Sequence, residues 1–247
     1  MSFRKAILSS LNQLFGLRGL ELRSRVRIED DCSMDAALRR AGARLPKIGT
    51  VIDVGAASGK WTQRARPHFP DARFHLIEPL RERVPELEAL RAADRRVNFV
   101  SAAAGSQPGE TTFNVTADLD GSGVAEVPGS TNRTVAVTTI DREVSERQLP
   151  GPYFIKLDTH GYEVPILEGA YGTLCHTSLL MIEVYNFELA DGCLRFPQLC
   201  TWLEKPFGFL PCDVVEPIRR PGDLVLWQMD IVFARMDAPF FSRKTYQ

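Results

Sequence analysis

Residues 50–59 read Thr-Val-Ile-Asp-Val-Gly-Ala-Ala-Ser-Gly, and this stretch decides the fold class of the chain. Its first half, Thr50–Val54, is a short β-branched apolar run, which is typical of a strand buried on both faces of a parallel sheet. Gly55 to Gly59 form a turn, and residues 60–66 predict a helix that ends at Pro67. A strand, a turn of small residues and a helix in this order bring the backbone close to a ligand at the carboxyl end of the strand.

Strands and helices alternate on both sides of this segment. One helix is predicted from Ser33 to Gly42, because serine is a good N-cap and glycine is a good stop. A second helix is predicted over the apolar positions from Leu80 to Leu90, and a third over residues 161–170. The further predicted strands are residues 73–77, 97–100, 153–157 and 179–184, and residues 214–215 and 224–233 predict a closing antiparallel hairpin. This alternation indicates right-handed crossovers and an open parallel sheet.

The composition is that of an ordinary globular protein. Of the 247 residues, 44% are hydrophobic and 25% are charged, and 30 Lys and Arg against 31 Asp and Glu leave a formal net charge of −1. These values exclude a disordered tail and a collagen-like repeat. The near-neutral balance argues against nucleic acid as the main partner, because such binding requires the neutralisation of phosphates. Five widely spaced cysteines without a CxxC pair predict reduced thiols in the cytoplasm.

The first 45 residues are expected to be a helical extension, followed by one domain over residues 46–240. The stretch from Ala6 to Leu17 is too short and too polar to span a bilayer. Apolar side chains recur around it at helical spacing, namely Phe3, Ile7, Leu11, Leu14 and Phe15. The preferred interpretation is a helix that packs on the domain or on a second subunit, and the alternative is peripheral contact with an anionic membrane surface.

Residues 106–134 form an excursion rich in Gly, Ser, Thr, Asn and Asp. Two short strands are predicted within it, at residues 112–115 and 134–138. A segment of this length inside a compact domain is usually functional or mobile.

The turn after the first strand and the end of the second strand together predict a site for an adenosine-bearing ligand. Glu78 ends the second strand 25 residues after Asp53, where an acidic side chain can accept hydrogen bonds from both ribose hydroxyls. A P-loop is disfavoured because the glycine spacing is one residue short and Trp61 stands at the hydroxyl position. A dinucleotide site is disfavoured because Ala57 and Lys60 occupy the second and third glycine positions. S-adenosylmethionine, which carries no phosphate, is the preferred ligand.

Several segments, in the right order, resemble the FkbM-type S-adenosylmethionine-dependent methyltransferases. Residues 53–59 are similar to the family's first motif, and Leu76-Ile77-Glu78-Pro79 is similar to its ribose-binding strand end. The most specific match is residues 154–170 (FIKLDTHGYEVPILEGA), which resemble its lysine–x–aspartate–x–x–glycine–x–glutamate block. Residues 135–141 (VAVTTID) are similar to the strand and Asp before its central helix, and residues 179–184 and 230–233 match its later strands more loosely.

The resemblance implies a Rossmann-like class I methyltransferase fold, which is an α/β domain with a mostly parallel seven-stranded sheet, helices on both faces and a C-terminal antiparallel hairpin. It implies methyl transfer from S-adenosylmethionine, mostly to hydroxyl oxygens of sugars, glycolipids or polyketides, so that a small-molecule or lipid-linked glycan acceptor is expected. The expected cofactor-binding residues are Asp53, Gly55, Ala56, Ala57, Ser58, Gly59, Glu78, Pro79, Ser101 and Ala102. Two rival functions are an NAD(P)-dependent oxidoreductase and a non-catalytic Rossmann-like binding or scaffold module.

Three residues are candidates for the chemistry, because an alcohol acceptor has to lose a proton. Asp158 ends the fourth strand and is expected to contact the acceptor or the cofactor, with an N-cap of the next helix as the alternative. His160 is a candidate base, with a solvent-facing loop histidine as the alternative. Glu183 ends a strand expected to be buried, where a carboxylate needs a polar partner or a role in the site.

Two further points concern the same region. Glu163 is expected to stabilise the helix dipole or to pair with Lys156. Asp158, His160 and Glu183 could also group as metal ligands, but no ligand spacing demands it, and no metal is expected.

Overall fold

The computed structural model describes residues 31–45, 47–125, 131–189 and 192–245 of the chain. The predicted helix near the N-terminus, with its apolar residues from Phe3 to Phe15, lies outside the described residues. Among the helices that the structure describes, none combines the length and the apolar character needed to cross a bilayer.

Strands and helices alternate along the described residues as the sequence predicts. The strands are β1 (Thr50–Val54), β2 (Arg73–Ile77), β3 (Val97–Val100), β4 (Ala103–Ala104), β5 (Gly109–Asn114), β6 (Gly123–Val124), β7 (Asn132–Thr138), β8 (Tyr153–Leu157), β9 (Thr177–Tyr185), β10 (Phe209–Arg219) and β11 (Leu226–Arg235). The α-helices are α1 (Met34–Arg44), α2 (Lys60–Ala65), α3 (Val84–Ala93), α4 (Ile140–Glu146), α5 (Glu163–Glu168), α6 (Tyr171–Leu174) and α7 (Phe196–Phe207).

A seven-stranded sheet forms the centre of the molecule, in the order β10-β11-β9-β8-β1-β2-β3. Strands β1, β2, β3, β8 and β9 run parallel, whereas β11 is antiparallel to both β9 and β10. The predicted fold class, with its parallel sheet and closing antiparallel hairpin, is confirmed. The chain order reverses between β1 and β8, and such a reversal opens a crevice at the carboxyl ends of the strands.

Hydrophobic cores cover both faces of this sheet. Strands β1 and β8 are buried along their whole length, and their side chains alternate between the two faces. Val51 and Phe154 pack with side chains of α1 and α3 in one core, whereas Ile52 and Ile155 pack with side chains of α4, α5 and α7 in the other. Burial on both faces explains why these strands read as continuous apolar runs.

Helix α1 is part of the first core, where Met34, Leu38 and Ala41 are buried. Ser33 caps it as predicted, and its side chain accepts from the Ala36 N–H at 3.4 Å. The prediction that the helix ends at Gly42 is wrong, because α1 continues to Arg44. The glycine instead allows a close approach between backbones, since a Cβ there would lie 2.5 Å from the carbonyl oxygen of His68.

The excursion after β3 folds into a second sheet of four strands, in the order β4-β7-β5-β6. Strands β5 and β7 pair antiparallel over six residues, from Gly109 opposite Val137 to Asn114 opposite Asn132. A small separate core under this sheet contains Leu80, Ala103, Phe113 and Val135. The two strands predicted within the excursion are therefore present, and each extends further than the sequence pattern predicted.

The helix predicted over residues 161–170 is shorter than expected. Helix α5 begins at Glu163 and ends at Glu168, and a separate short helix follows from Tyr171. Gly169 lies between the two helices, where a Cβ would come within 2.0 Å of the carbonyl oxygen of Gly105. This close approach fixes the second sheet against the end of α5.

Gly42→Ala tests the packing of α1. Alanine normally stabilises a helix interior relative to glycine by about 1 kcal/mol. Here we expect the opposite sign, a loss of about 1–3 kcal/mol, because the added methyl group meets the His68 carbonyl. Chemical denaturation of the wild type and the variant measures the difference. Gly109→Ala is the matched control, because its methyl group would meet no atom within 4 Å; a more stable Gly42→Ala protein would contradict the packing argument.

Candidate functional site

The turn between β1 and α2 lies in a left-handed backbone conformation at three positions, with φ values of +72° at Gly55, +46° at Ala57 and +74° at Gly59. A Cβ on Gly55 would lie 2.1 Å from the carbonyl oxygen of Asp158, beyond the end of β8. The N–H of Gly55 also donates to the Ile77 carbonyl at 3.0 Å. The turn therefore lies between the ends of β8 and β2, the two neighbours of β1, and this close approach requires glycine at its first position.

Glu78 supports the same turn from the end of β2. Its two carboxylate oxygens accept from the N–H groups of Ala57 and Leu80, both at 2.8 Å. Burial raises the pKa of Glu78, and these two hydrogen bonds oppose that effect. Because a carboxylate has about four acceptor positions, Glu78 can accept further hydrogen bonds from a ligand.

A cavity of about 500 Å³ opens beside this turn, at the carboxyl ends of the parallel strands. The loop before β6 and β6 itself line one side of it, through Leu119, Asp120, Ser122, Gly123 and Val124. Ile218 and Gln228 of the hairpin line another side. Its volume is within the range of small-molecule sites in proteins, roughly 300–1,000 Å³.

The cavity brings together six of the ten predicted cofactor-binding residues, namely Gly55, Ala56, Ala57, Ser58, Glu78 and Pro79. The other four, Asp53, Gly59, Ser101 and Ala102, lie outside its lining. The space beside Gly59 is filled by Leu87 and Leu90 of α3, so that glycine serves helix packing. Ser101 is exposed and Ala102 is buried in the chain that leads to β4. Any contact of these four residues with a ligand would be indirect.

Asp53 lies behind the turn and is fully buried. One of its oxygens accepts from the hydroxyl of Thr62 at 2.6 Å, and the other has no hydrogen-bond donor within the described part of the chain. Burial raises the pKa of Asp53, and the positive charge of Lys156 opposes that effect. Asp53 and Lys156 are opposite each other in the register of β1 and β8.

Lys156 and Asp158 form an ion pair, with 2.6 Å between Nζ and Oδ2. Burial alone would lower the pKa of Lys156, but the attraction of Asp158 and Asp53 outweighs it and raises that pKa. For Asp158 burial would raise the pKa, and Lys156 turns the net shift downward. The alternative role of Asp158 as an N-cap is wrong, because the N-cap position of α5 is Tyr162 and no side chain caps that helix. Asp158 lines the cavity as an ionised group.

His160 lies between β9 and the second sheet. Its Nδ1 is 3.0 Å from the Tyr185 hydroxyl and 3.2 Å from a Glu183 oxygen, and its Nε2 is 2.9 Å from the carbonyl oxygen of Asp120. The hydrogen bond to Glu183 raises the pKa of His160 to about 9. The imidazole is therefore protonated at neutral pH and acts as a donor on both sides. About one-third of the side chain is exposed, so the alternative of a solvent-facing loop histidine is right only in part, because both ring nitrogens contact protein groups. The candidate role as a base does not fit a ring that already holds its proton.

Asp120 is held from two directions. Its carbonyl oxygen contacts His160, and its carboxylate pairs with Arg83 at 2.5 Å. These contacts fix the tip of the excursion over the cavity, where Leu119 and Ser122 are lining residues. His160, through its contacts with Asp120 and with Glu183 and Tyr185, thus connects the excursion to the end of β9, and these contacts form the His160 clamp.

Glu183 and Glu163 are both buried, each with its own set of donors. Glu183 accepts from the hydroxyl of Tyr185 and from the side-chain amide of Gln228 at 2.5 Å. Glu163 accepts from the Gly161 N–H at 2.9 Å and the Thr159 hydroxyl at 3.1 Å. The predicted pairing of Glu163 with Lys156 is wrong, because the ammonium group pairs with Asp158.

Asp158, His160 and Glu183 converge, with one ligand atom from each lying within 4.8 Å of the others. This is the group that the sequence placed together as candidate catalytic residues. An ion bound there would displace contacts that the protein already makes, such as those of Lys156, Tyr185 and the Asp120 carbonyl. The arrangement is therefore a network of paired charges within the cavity wall.

Asp230 is a residue of the cavity that the sequence reasoning missed. It lies in β11 directly opposite Glu183 in β9. Burial raises the pKa of Asp230 to about 7, with Lys156 opposing and Asp158 and Glu183 reinforcing the shift. A signal was present, since Asp230 is the one charge in the apolar run Met229-Asp230-Ile231-Val232-Phe233. A buried strand rarely carries a charge without a functional or structural reason.

A family model, the methyltransferase FkbM domain, matches residues 53–210. No curated protein sequence matches the chain significantly.

Solved structures similar to the chain include a 1,6-didemethyltoxoflavin-N1-methyltransferase from Burkholderia thailandensis, which holds 1,6-didemethyltoxoflavin and S-adenosylhomocysteine. It is 15% identical, the alignment covers 94% of this chain and 88% of that one, and the TM-score is 0.42. Precorrin-6y C5,15-methyltransferase from Geobacter metallireducens is 12% identical over 86% of this chain and 93% of that one, with a TM-score of 0.40. TrmK from M. capricolum is 8% identical over 81% and 67%, with a TM-score of 0.47.

His160→Gln tests the clamp through the pH dependence of stability. The folded-state pKa of about 9 lies above the ordinary value of 6.5, so the contribution of His160 is fully present below pH 6.5 and is lost as the pH rises through about 9. After allowance for its one-third solvent exposure, we expect the wild type to exceed the variant by about 1–2 kcal/mol at pH 6 and by much less at pH 9.5. Urea unfolding at both pH values measures this. The exposed His176→Gln is the control, and a stability difference independent of pH would contradict the clamp.

Proposed function

Because the chain belongs to the FkbM methyltransferase family, we propose that it methylates a hydroxyl oxygen of a sugar, a glycolipid or a secondary metabolite. The methyl donor of this methyltransferase is S-adenosylmethionine. Membership of the family supports methyl transfer over the two rival functions, the oxidoreductase and the non-catalytic scaffold. The proposal for a hydroxyl acceptor is carried by one observation, the convergence of Asp158, His160 and Glu183 in the cavity wall.

The residues around the cavity fit the cofactor. Glu78, with acceptor positions still available, would bind the ribose hydroxyls, and the small residues from Gly55 to Ser58 would let the adenosine part approach the backbone. The buried oxygen of Asp53 that has no donor among the described residues would accept a hydrogen bond from a water that connects it to the amino-acid end of the cofactor. In this proposal Pro79 lines the part of the cavity that holds the adenosine. Gly59, Ser101 and Ala102 lie outside the lining and support the residues that form it.

The cavity has room for an acceptor beyond the cofactor. Glu78 and Glu183 lie at the ends of β2 and β9, which are separated by three strand spacings in the sheet, or about 14 Å. When bound, S-adenosylmethionine supplies an electrophilic methyl carbon on a sulfonium. The protein then has to align the acceptor oxygen with that carbon, exclude water and receive the hydroxyl proton.

The acceptor end of the cavity supports a hydroxyl compound. The carboxylate groups of Asp158 and Glu183 and the amide of Gln228 offer hydrogen-bond acceptors of the kind that orient hydroxyl groups. We propose that Asp158 and Glu183 orient the acceptor and that the protonated His160 holds the excursion over it. A net charge of −1 supports a small-molecule acceptor over a nucleic acid.

An apolar edge beside the acceptor end supports an acceptor that carries an apolar part. Ile218, Val214 and Leu224 of the hairpin are 49%, 41% and 66% exposed, and Ile218 lines the cavity. The described chain begins at the same edge, where the Glu216 N–H donates to the Cys32 carbonyl at 2.7 Å. The five free cysteines support a reducing, cytoplasmic location.

The proposal is tested by transfer of a labelled methyl group from S-adenosylmethionine to a panel of acceptors. The panel contains sugar nucleotides, lipid-linked sugars and polyketide alcohols, each beside its deoxy analogue. We expect labelled product with a hydroxyl compound and none with the matching deoxy compound, and mass and NMR spectra locate the new O–CH₃ group. Transfer to an amine or to a carbon instead would contradict O-methylation while leaving the family assignment intact.

Glu78→Gln is expected to weaken cofactor binding, because the amide nitrogen that replaces one carboxylate oxygen cannot accept a hydrogen bond from a ribose hydroxyl. At 100 times its dissociation constant, S-adenosylhomocysteine should stabilise the wild type by about 2.7 kcal/mol, and NADH should not. For Glu78→Gln we expect an affinity at least about tenfold lower. Calorimetric titration measures it, with Glu82→Gln as control, since Glu82 pairs with Arg133 outside the cavity lining. Wild-type affinity in Glu78→Gln would place the ribose elsewhere.

A further inference from the structure

We infer that Asp230 is the general base of the transfer, the group that takes the proton from the acceptor hydroxyl. The inference rests on the proposed function and assigns a role that neither the family match nor the sequence motifs assign. It stands on the position of Asp230 in the cavity and on what the other acidic residues there already bind.

Asp230 lies on the face of the sheet that carries the polar groups of the site. It is opposite Glu183 in the β9–β11 register, and Lys156 lies on the next strand, β8. Its side chain is half-buried and lines the cavity beside Gln228. Asp230 thus lies in β11, a ten-residue strand that pairs with β9 and β10, and such a strand holds a catalytic group more rigidly than a loop would.

The other acidic residues of the cavity have donors of their own. The pairs are Glu78 with the Ala57 and Leu80 amides, Asp120 with Arg83, Asp158 with Lys156, Glu183 with Tyr185 and Gln228, and Glu216 with the Met34 amide. No hydrogen bond reaches the Asp230 carboxyl group from the residues that the structure describes. Its oxygens are therefore free to accept the proton of a substrate.

His160 does not compete for this role, because its ring is protonated at neutral pH and both nitrogens contact the protein. Asp158 is a weak base for a different reason, since the ion pair with Lys156 stabilises its ionised form. A good general base has a pKa near the working pH. Among the acidic residues of the cavity, Asp230 meets that condition, with a pKa of about 7.

The electrostatic surroundings of Asp230 explain this value. Burial raises the pKa of Asp230, and the positive charge of Lys156 of β8 opposes that effect by stabilising the ionised form. The negative charges of Asp158 beyond β8, Glu183 of β9 and Glu216 of β10 destabilise the ionised form and raise the pKa further. Lys156 is already engaged with Asp158 and Asp53, so its charge offsets the burial of Asp230 only in part. Above pH 7 the group is mostly a carboxylate, which is the form that can accept a proton from the acceptor hydroxyl.

The step is balanced in atoms and charge. The acceptor oxygen forms a bond to the methyl carbon while the carbon–sulfur bond breaks and its electron pair stays on sulfur. The hydroxyl proton moves to an oxygen of Asp230, which becomes a neutral carboxylic acid. The positive charge that the sulfonium brings thus leaves as that proton, which solvent removes when the product departs.

Sinefungin provides a test that does not depend on knowing the acceptor. This cofactor analogue carries a C–NH₃⁺ group where S-adenosylmethionine carries its sulfonium methyl, whereas S-adenosylhomocysteine has neither charge nor methyl. We expect the wild type to prefer sinefungin over S-adenosylhomocysteine, and Asp230→Asn to reduce that preference about tenfold or more at pH 8 without weakening S-adenosylhomocysteine. Calorimetric titrations measure both ligands.

The pH dependence distinguishes a base from a structural residue. In the wild type the preference for sinefungin should increase between pH 6 and pH 8 as Asp230 ionises, and in Asp230→Asn it should be flat. Asp237→Asn, an exposed residue beyond the same strand, is the matched control and should behave as the wild type. On a hydroxyl acceptor from the panel, Asp230→Asn should also lower kcat about 100-fold or more.

The outcomes separate this inference from the function on which it rests. Failure of the wild type to bind S-adenosylhomocysteine would remove the proposed function, and the inference with it. Normal S-adenosylhomocysteine binding, combined with an unchanged sinefungin preference in Asp230→Asn, would overturn the inference alone. Circular dichroism and thermal unfolding of Asp230→Asn confirm that the variant is folded before either ligand is compared.

Discussion

The charge of Lys156 is the constraint on which the rest of the site depends. An ammonium group in a fully buried strand is unfavourable unless anions surround it, and β8 places this one between Asp53 on β1 and Asp158 at its own end. The ion pair keeps Asp158 ionised at the mouth of the cavity. The same lysine opposes the rise that burial causes in the pKa of Asp230, but only in part. One buried cation therefore acts on the pKa values of three carboxyl groups of the site, those of Asp53, Asp158 and Asp230.

The second sheet depends on the same region through His160. Because Glu183 holds the imidazole in its charged form, His160 can donate to the Asp120 carbonyl and keep the excursion over the cavity. Arg83 pairs with the carboxylate of Asp120, so the excursion is attached both to β9 and to the chain that follows β2. The buried Glu183 is stabilised in turn by Tyr185 and Gln228. The excursion is thus held over the cavity by these paired charges together with the small apolar core around Phe113.

The sequence predicted the central sheet well because its strands are defined by local patterns. The bounds of β1, β2, β3 and β8 agree with the apolar runs, since nearly all residues of these strands are buried or half-buried and each run ends at a turn. The bounds of β5 and β7 were predicted less well, because their residues alternate between exposed and buried and pair across a long connection. Gly42 was misread because a glycine that ends a helix and a glycine that permits a close approach look alike in one sequence.

In the candidate site, too, some residues could be predicted from local sequence patterns and others could not. Glu78 and the turn around Gly55 could be located because a strand end and a small-residue turn are local signals. The roles of His160 and Asp230 could not, since each depends on partners that only the fold brings close. His160 needs Glu183 and Asp120, which lie 23 residues after it and 40 residues before it. For Asp230 the deciding fact is that neighbouring acids take the available donors, and no pattern of residues in one strand carries that information.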